Sequence, residues 1–163
     1  MTEPVHALVR PATERDAAVL AELNRFVHAL HVEARPDVFR TAASETGELA
    51  AIFASFLAGD DTLAYVAEVR GRPAGYVTAV VHRRPGDEMT RARSFVSVEH
   101  LAVDPGVARG GVGTALVEAV RTAGREAGCT AVLTDVWDFN QTALDFFEGL
   151  GFTPMRHWLE HPL

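Results

Sequence analysis

The chain has 163 residues, of which 48% are hydrophobic and 23% charged, as expected for one folded domain rather than a disordered segment. A formal net charge of −7 argues against nucleic-acid binding, and no apolar run approaches the ~20 residues that a membrane span needs. All fifteen Lys and Arg positions are arginine, which excludes lysine Schiff-base chemistry and the lysine-bearing phosphate loop. The N-terminus lacks the basic and apolar stretches of a secretion signal, so we expect a cytoplasmic protein.

The first half of the chain predicts, in order, a strand at 6–10, a helix from 13 to about 31, a helix at 49–56 and strands at 62–69 and 74–82. Thr13 is the predicted N-cap of the first helix, with Asp16 in the acidic position of a near-capping box. The last two strands flank the turn 70–73, which predicts an antiparallel hairpin.

The second half predicts a strand at 95–103, a helix from 112 that Gly128 caps, a strand at 131–136, a helix over 143–150 and a last strand at 152–159. No linker or internal repeat interrupts this order. The sequence therefore predicts a single mixed α/β domain spanning residues 1–163.

A loop with four glycines joins the strand at 95–103 to the helix that follows it. Glycines let backbone N–H groups converge, and at a helix N-terminus those groups form a cradle for phosphate. The dinucleotide fingerprint fits poorly, because counting from Gly111 its sixth place holds Leu116 instead of glycine or alanine. A coenzyme A pyrophosphate loop and a merely flexible turn remain as interpretations.

Two motifs resemble those of the GNAT superfamily of N-acetyltransferases. The first comprises Val98-Glu-His-Leu-Ala-Val-Asp-Pro and Ala108-Arg-Gly-Gly-Val-Gly-Thr-Ala-Leu-Val117. The second, about thirty residues later, runs from Asp135 through Asn140 and an apolar helix to Leu150-Gly-Phe152. The resemblance implies a single-domain GNAT-like α/β fold, with a mixed, mostly antiparallel twisted sheet flanked by about four helices.

The resemblance also implies acetyl-CoA as co-substrate; with one cysteine in the chain, no metal is expected. In the family, a splayed strand holds the pantetheine arm and acetyl carbonyl, the following loop holds the pyrophosphate, and an asparagine contacts the coenzyme A chain. The matching positions here are Leu101, Ala102 and Val103 for the strand, Arg109, Gly110, Gly111, Val112, Gly113 and Thr114 for the loop, and Asn140 for the asparagine.

Two positions depart from the family pattern. Ala108 replaces a common glutamine or arginine, and Arg109 beside it can compensate. Phe147, predicted to adjoin the cofactor, replaces a tyrosine to which protonation of the leaving thiolate is often assigned. Without that proton donor, solvent or another group protonates the thiolate, or it leaves unassisted as a fairly stable anion.

Glu99 is the predicted general base. An alkyl amine has a pKa near 10.4, so its neutral form costs roughly 4.6 kcal/mol at pH 7 and some group must take the proton. Regular strand alternation places Glu99 on one face with Leu101 and Val103, and His100 on the opposite face as a structural residue. A bulge in the strand would reverse the assignment of His100.

The acceptor is predicted to meet two segments. Asp135 and Trp137 follow a strand and offer a charge and an aromatic face to a cation. In GNAT enzymes the segment matching 28–39 shapes the acceptor pocket, which here would include His28, His31 and Phe39. Two histidines at this spacing are weak evidence for a metal, and pocket lining is the preferred interpretation.

The sequence thus predicts an N-acetyltransferase that acts on a small-molecule amine, such as a polyamine, an amino compound or an aminoglycoside. Direct transfer is expected, because Cys129 follows a helix C-terminus that disfavours a thiolate nucleophile. Acetylation of a protein or peptide amine is a second interpretation, and a non-catalytic acyl-CoA-binding regulatory domain is a third. The resemblance also suggests a homodimer.

Overall fold

The computed structural model describes residues 6–41 and 47–163. Within these ranges the chain forms one sheet of five strands and four α-helices. In chain order the elements are β1 (Ala7–Pro11), α1 (Ala17–Ala34), α2 (Glu48–Leu57), β2 (Thr62–Val69), β3 (Arg72–Arg84), β4 (Arg93–Val103), α3 (Val112–Glu126), β5 (Val132–Thr134) and α4 (Gln141–Gly149). The predicted fold class is confirmed.

The strands lie in the sheet in the order in which they occur in the chain. β1 to β4 pair antiparallel, whereas β5 lies parallel to β4, because α3 carries the chain back across the sheet between them. The predicted hairpin of β2 and β3 turns tightly at Arg70 and Gly71. Their φ angles of 52° and 73° are those of a two-residue turn that matches the strand twist.

Two apolar cores separate the sheet from its helices. α1 and α2 cover one face, where Leu20, Leu23 and Phe53 pack on Val66, Tyr76 and Ala102. α3 covers the other face, where Val112, Leu116 and Val120 pack on Val77, Ala79, Val96 and Val98. None of the described helices is long and apolar enough to cross a membrane.

A buried polar pair fixes α1 on its face of the sheet. The Tyr76 hydroxyl donates a hydrogen bond of 2.8 Å to Oδ1 of Asn24. Burial raises the pKa of Tyr76 above its ordinary value, so the hydroxyl remains a donor. Pairing both groups avoids the cost of leaving a polar atom buried without a partner.

The C-terminal part of the chain differs from the prediction. Residues 152–159 form no strand, and the predicted strand at 131–136 shortens to β5. Pro154 has no N–H to donate to a ladder, and three residues of β5 offer a short edge for pairing. The predicted last strand is therefore wrong, although its apolar content was typical of one.

Candidate active site

β4 and β5 separate after a short pairing. The parallel register joins Val96 to Val132 and ends where Val98 meets Thr134. Beyond this point, and among the residues that the structure describes, β4 keeps β3 as its neighbour on one side and has no strand on the other. The backbone of residues 101–103 therefore has an open edge that can accept an extended ligand through main-chain hydrogen bonds.

The glycine-rich loop begins where this open edge ends. Asp104 starts it, and its carboxylate accepts a hydrogen bond of 2.8 Å from the Gly106 N–H. A short 3₁₀ turn at Pro105–Val107 follows, and then two residues with left-handed backbones, Arg109 at φ 68° and Gly111 at φ 79°.

Gly111 is the N-cap of α3, and the first helical bond runs from the Ala115 N–H to its carbonyl. The amides of Val112, Gly113 and Thr114 precede that bond, so they have no partner within the helix. They lie at the positive end of a 15-residue helix, which is an environment that favours an anion. Of the predicted loop amides, those of residues 112–114 thus lie together at the helix end, whereas the Gly110 N–H donates to the Val107 carbonyl at 3.2 Å.

Gly113 has a second role in the packing of this region. A Cβ atom at Gly113 would lie 3.1 Å from Cζ of Phe146, so the missing side chain lets α4 approach the start of α3 closely. The glycine-rich loop and the second sequence motif are therefore neighbours in the fold.

Two predicted cofactor residues of the second motif have local structural roles. Oδ1 of Asn140 accepts a hydrogen bond of 3.1 Å from the Ala143 N–H and caps α4. Phe147 is buried, with 6% of its surface exposed, between the rings of Phe146 and Phe152. Their proximity to a bound cofactor remains a prediction.

A β-bulge in β4 changes the predicted orientation of the catalytic segment. His100 pairs with Thr78 and Val98 with Ala79, which leaves Glu99 as an extra residue without a partner. Glu99 and His100 consequently lie on the same face of the sheet, the one that α1 and α2 cover. Leu101 lies on the α3 face. The expectation that Glu99 shares a face with Leu101 and Val103 is wrong, and so is the placement of His100 opposite Glu99.

Glu99 and His100 each contact polar neighbours on this face. The Ser97 hydroxyl donates a hydrogen bond to Oε1 of Glu99. Nδ1 of His100 lies 3.3 Å from Oγ1 of Thr78, and its ring meets that of Phe53 edge to face. Desolvation lowers the pKa of His100, an effect that Glu99 opposes and His31 reinforces. His100 is nevertheless exposed to solvent at this edge of the sheet.

An aromatic cluster forms beside these groups from the end of α1 and the loop after β5. It comprises His28, His31, Phe39, Trp137 and Phe139, linked by ring contacts of 4.9 to 6.2 Å. Four of the five predicted acceptor residues belong to this cluster. Trp137 and Phe139 each keep 38% of their surface exposed, so the cluster presents an aromatic wall to solvent.

Hydrogen bonds and ion pairs hold the cluster in place. Nδ1 of His31 lies 2.7 Å from the Val27 carbonyl oxygen, which can only accept, so Nδ1 carries the proton of this hydrogen bond. The Arg35 guanidinium lies 5.4 Å from the centre of the Trp137 ring and is paired with Asp37 and Glu160. Trp137 therefore already has a cation of the chain itself against its ring.

The fifth predicted acceptor residue, Asp135, is exposed in the loop directly after β5, two residues before Trp137. The sequence predicts Cys129 as a buried strand residue, which is wrong: it lies between α3 and β5, outside any strand, and is only partly buried against the core. A cavity of about 710 Å³ lies between the glycine-rich loop and the turn that joins β2 to β3, and its lining includes Arg70, Arg72 and Ala108.

Sequence reasoning missed several residues of this region. Phe139 belongs to the aromatic cluster and Arg35 contacts it at Trp137, and only the tertiary fold brings these residues together. Ser97 and His82 lie beside Glu99 across two strands, and Nε2 of His82 is 3.3 Å from Oγ of Ser97. The contact between Ser97 and Glu99 could have been predicted from the sequence, because residues two apart on a strand share a face.

An open strand edge leading into a glycine-rich helix N-terminus defines a protein that can bind an extended, phosphorylated ligand. The model of the Acetyltransferase (GNAT) family matches residues 24–152. This match covers most of the chain, and the protein belongs to the GNAT acetyltransferase family. A comparison with curated proteins finds no match.

Several solved structures share the fold. A tetramutant of the BH1408 protein from Bacillus halodurans is 28% identical, with a TM-score of 0.90 and coverage of 96% of this chain and 99% of that one. Aminoglycoside acetyltransferase meta-AAC0020 from an uncultured soil metagenomic sample, in complex with sisomicin, is 20% identical, with a TM-score of 0.69 and coverage of 96% and 95%. AAC(6')-Iy with a bisubstrate analog is 18% identical, with a TM-score of 0.74 and coverage of 97% and 98%. Identities of 20% and 18% support the fold and leave the acceptor open.

Proposed function

We propose that the protein transfers the acetyl group of acetyl-CoA directly to the primary amine of a small molecule. The observation that carries this proposal is the open edge of β4, which runs from Glu99 at the bulge to the glycine-rich loop at the N-terminus of α3. One continuous path thus offers a proton acceptor, main-chain partners for a thioester arm and amides for a pyrophosphate.

The donor would bind along this path. Amides within residues 109–114, chiefly those of 112–114, would hold the pyrophosphate, with the charge of Arg109 beside them. The backbone of residues 101–103 would hold the pantetheine arm and the acetyl carbonyl, so that the thioester lies near the bulge. Hydrogen bonds to that carbonyl oxygen would stabilise the negative charge that develops as the amine attacks.

Glu99 would take the proton of the ammonium acceptor. One carboxylate oxygen already accepts a hydrogen bond from Ser97, and the second can face the amine. As the neutral amine attacks the carbonyl carbon, the C–N bond forms, the thioester C–S bond breaks, coenzyme A leaves as a thiolate, and the nitrogen loses its second proton to solvent to give the amide. Phe147 has no proton to give, so solvent would protonate the thiolate after it departs.

The acceptor would lie against the aromatic cluster. His31 links the cluster to the catalytic segment, because it is close enough to influence His100 electrostatically. Glu99 and Asp135 would attract the ammonium group, while the rings would contact the carbon skeleton. Two of the similar proteins, meta-AAC0020 and AAC(6')-Iy, are named as aminoglycoside acetyltransferases, which adds support for a small amine.

Thiol release from acetyl-CoA, measured with spermidine, sisomicin, phenethylamine and a lysine-containing peptide, tests this proposal. At least one small amine should be acetylated. Glu99→Gln should lower kcat about 100-fold at pH 7, and the loss should shrink as the pH approaches the amine's own pKa, because neutral amine then forms without help.

Glu88→Gln, the same change in the exposed loop between β3 and β4, should leave turnover unchanged. Activity on the peptide alone would transfer the assignment to a protein acceptor. Tight coenzyme A binding without turnover on any amine would contradict catalysis and support a regulatory acyl-CoA-binding domain. The absence of a hydroxyl at Phe147 is the observation that favours this alternative.

A further inference from the structure

We infer that Ser97 and His82 are positioning residues that hold the Glu99 carboxylate in the orientation needed to deprotonate the acceptor; this inference rests on the proposed function. The three side chains form one hydrogen-bonded line across β3 and β4. The Ser97 hydroxyl donates to Oε1 of Glu99, and Nε2 of His82 lies 3.3 Å from Oγ of Ser97.

Counting protons sets the direction of this line. Ser97 has a single hydroxyl proton, which it donates to Glu99, so its oxygen can only accept from His82. Nε2 of His82 must therefore carry a proton, because otherwise two lone pairs would face each other. His82 thus donates to Ser97, and Ser97 donates to Glu99.

The far end of the line is fixed by stacking. The His82 ring stacks on the Phe95 ring, with their centres 4.9 Å apart and their planes at 21° to each other. Phe95 is buried and also contacts the guanidinium groups of Arg84 and Arg93, 5.2 and 5.3 Å from the ring centre. These contacts restrict rotation of His82 and hence the direction of its Nε2 proton.

Glu99 needs such support because it is exposed at a bulge. A free glutamate loses considerable rotamer entropy when it must adopt one conformation for reaction. With Oε1 held by Ser97, the second oxygen is left for the ammonium proton. Other ionisable groups near this line are His100 on β4 and His31 on α1, besides Arg84 and Arg93 at the His82 end.

The test compares kcat, KM and their pH dependence for Ser97→Ala, Ser97→Thr and His82→Phe, using acetyl-CoA and the fastest amine of the panel above. Ser97→Ala should lower kcat about 10-fold at pH 7 and leave KM for acetyl-CoA unchanged. The loss should shrink at high pH, as for Glu99→Gln, because only the deprotonation step is affected. Ser97→Thr restores the hydroxyl and should recover most of kcat.

A double mutant and two controls separate positioning from folding. In a Glu99→Gln background, Ser97→Ala should cause no further loss, because the carboxylate it orients is gone. His82→Phe keeps a ring on Phe95, removes the donor and should lower kcat about threefold. Ser94→Ala, the same change on the same strand, should have no effect, since the bonds that Thr130 makes to Ser94 use its carbonyl.

Three results for Ser97→Ala would overturn the inference alone. These are a loss of kcat that is the same at every pH, a loss that adds to that of Glu99→Gln in the double mutant, and a loss that Ser97→Thr does not reverse. An unaffected Glu99→Gln variant in an active enzyme would overturn the role of Glu99 as base and the inference with it, whereas a wild type inactive on every amine would overturn the proposed function as well. Thermal unfolding of each variant identifies any loss of activity that arises from loss of folded protein.

Discussion

Arg109 combines a positive charge with an unfavourable backbone conformation in the glycine-rich loop. Its φ of 68° lies in the left-handed region, which costs a residue with a Cβ atom and costs glycine nothing. Residues in such conformations concentrate at ligand sites, where the side chain compensates for the strain. Gly111, two residues later, also has a positive φ but has no Cβ atom and therefore no such steric cost.

Arg109→Gly should therefore weaken acetyl-CoA binding several-fold without lowering the melting temperature of the free protein. The change removes the charge beside the phosphate cradle and relieves the backbone at once. Calorimetric titration with acetyl-CoA and thermal unfolding measure the two effects. Arg70→Gly makes the same change at another left-handed arginine, φ 52°, and serves as the stability control. A marked drop in melting temperature for Arg109→Gly alone would contradict the strain argument.

At the residue scale, the sequence was a good guide wherever chemistry depends on residue type. The glycines of the loop, the acidic residue of the capping box and the absence of a hydroxyl at Phe147 needed no structure. The orientation of His100 depended instead on one extra residue in the ladder, and a bulge of this kind has no fixed sequence signal. The contacts of Arg35 and Phe139 with Trp137 depend on where two segments distant in the sequence meet, which local patterns do not encode.

An ion pair joins β1 to the start of α1. Arg10 donates to the Asp16 carboxylate from both terminal nitrogens, at 3.0 and 2.8 Å. The N–H and hydroxyl of Thr13 donate to the same carboxylate, which confirms the predicted partnership of Thr13 and Asp16. A short 3₁₀ turn at Glu14–Asp16 precedes α1, so the α-helix starts later than predicted.

The pH dependence of stability should reveal this pair. The hydrogen bonds from Arg10 lower the pKa of Asp16 from 3.8 to about 2. Because the folded pKa is depressed, the stabilisation is complete above the unfolded value and is lost as the pH falls through about 2. Asp16→Asn should lower the free energy of unfolding by about 2 kcal/mol at pH 7, and the difference should shrink on acidification.

Urea unfolding at several pH values measures this difference. Asp37→Asn removes a carboxylate that also pairs with an arginine, but in a solvent-exposed position, and should have a much smaller effect. Equal losses for the two variants, or a loss for Asp16→Asn that is independent of pH, would show that the Arg10–Asp16 pair does not fix this junction.

At the element scale, helices and strands with strong periodicity were predictable and their ends were not. Four helices and the antiparallel strands lie where apolar spacing placed them, because each buries one stripe or face against a partner. The segment 152–159 has the composition of a strand but finds no ladder partner within the described residues. Composition reports what a segment can form, whereas pairing decides what it does form.

At the scale of the whole molecule, the sheet separates two tasks. α3 covers one face and supplies the helix N-terminus proposed to bind the donor. α1 and α2 cover the other, where the bulge directs Glu99 and His100 toward the aromatic cluster. The gap between β4 and β5 connects the two sides, so the proposed donor and acceptor would meet at the edge of the sheet.

The central claim is that the open edge of β4 and the loop at 109–114 bind the thioester and pyrophosphate of acetyl-CoA. Isothermal titration of the protein with acetyl-CoA tests it most directly, with thermal unfolding in the presence of the ligand as a second readout. We predict saturable binding of one acetyl-CoA per chain and a raised melting temperature. Titration without heat at two temperatures, together with an unchanged melting temperature, would contradict the account.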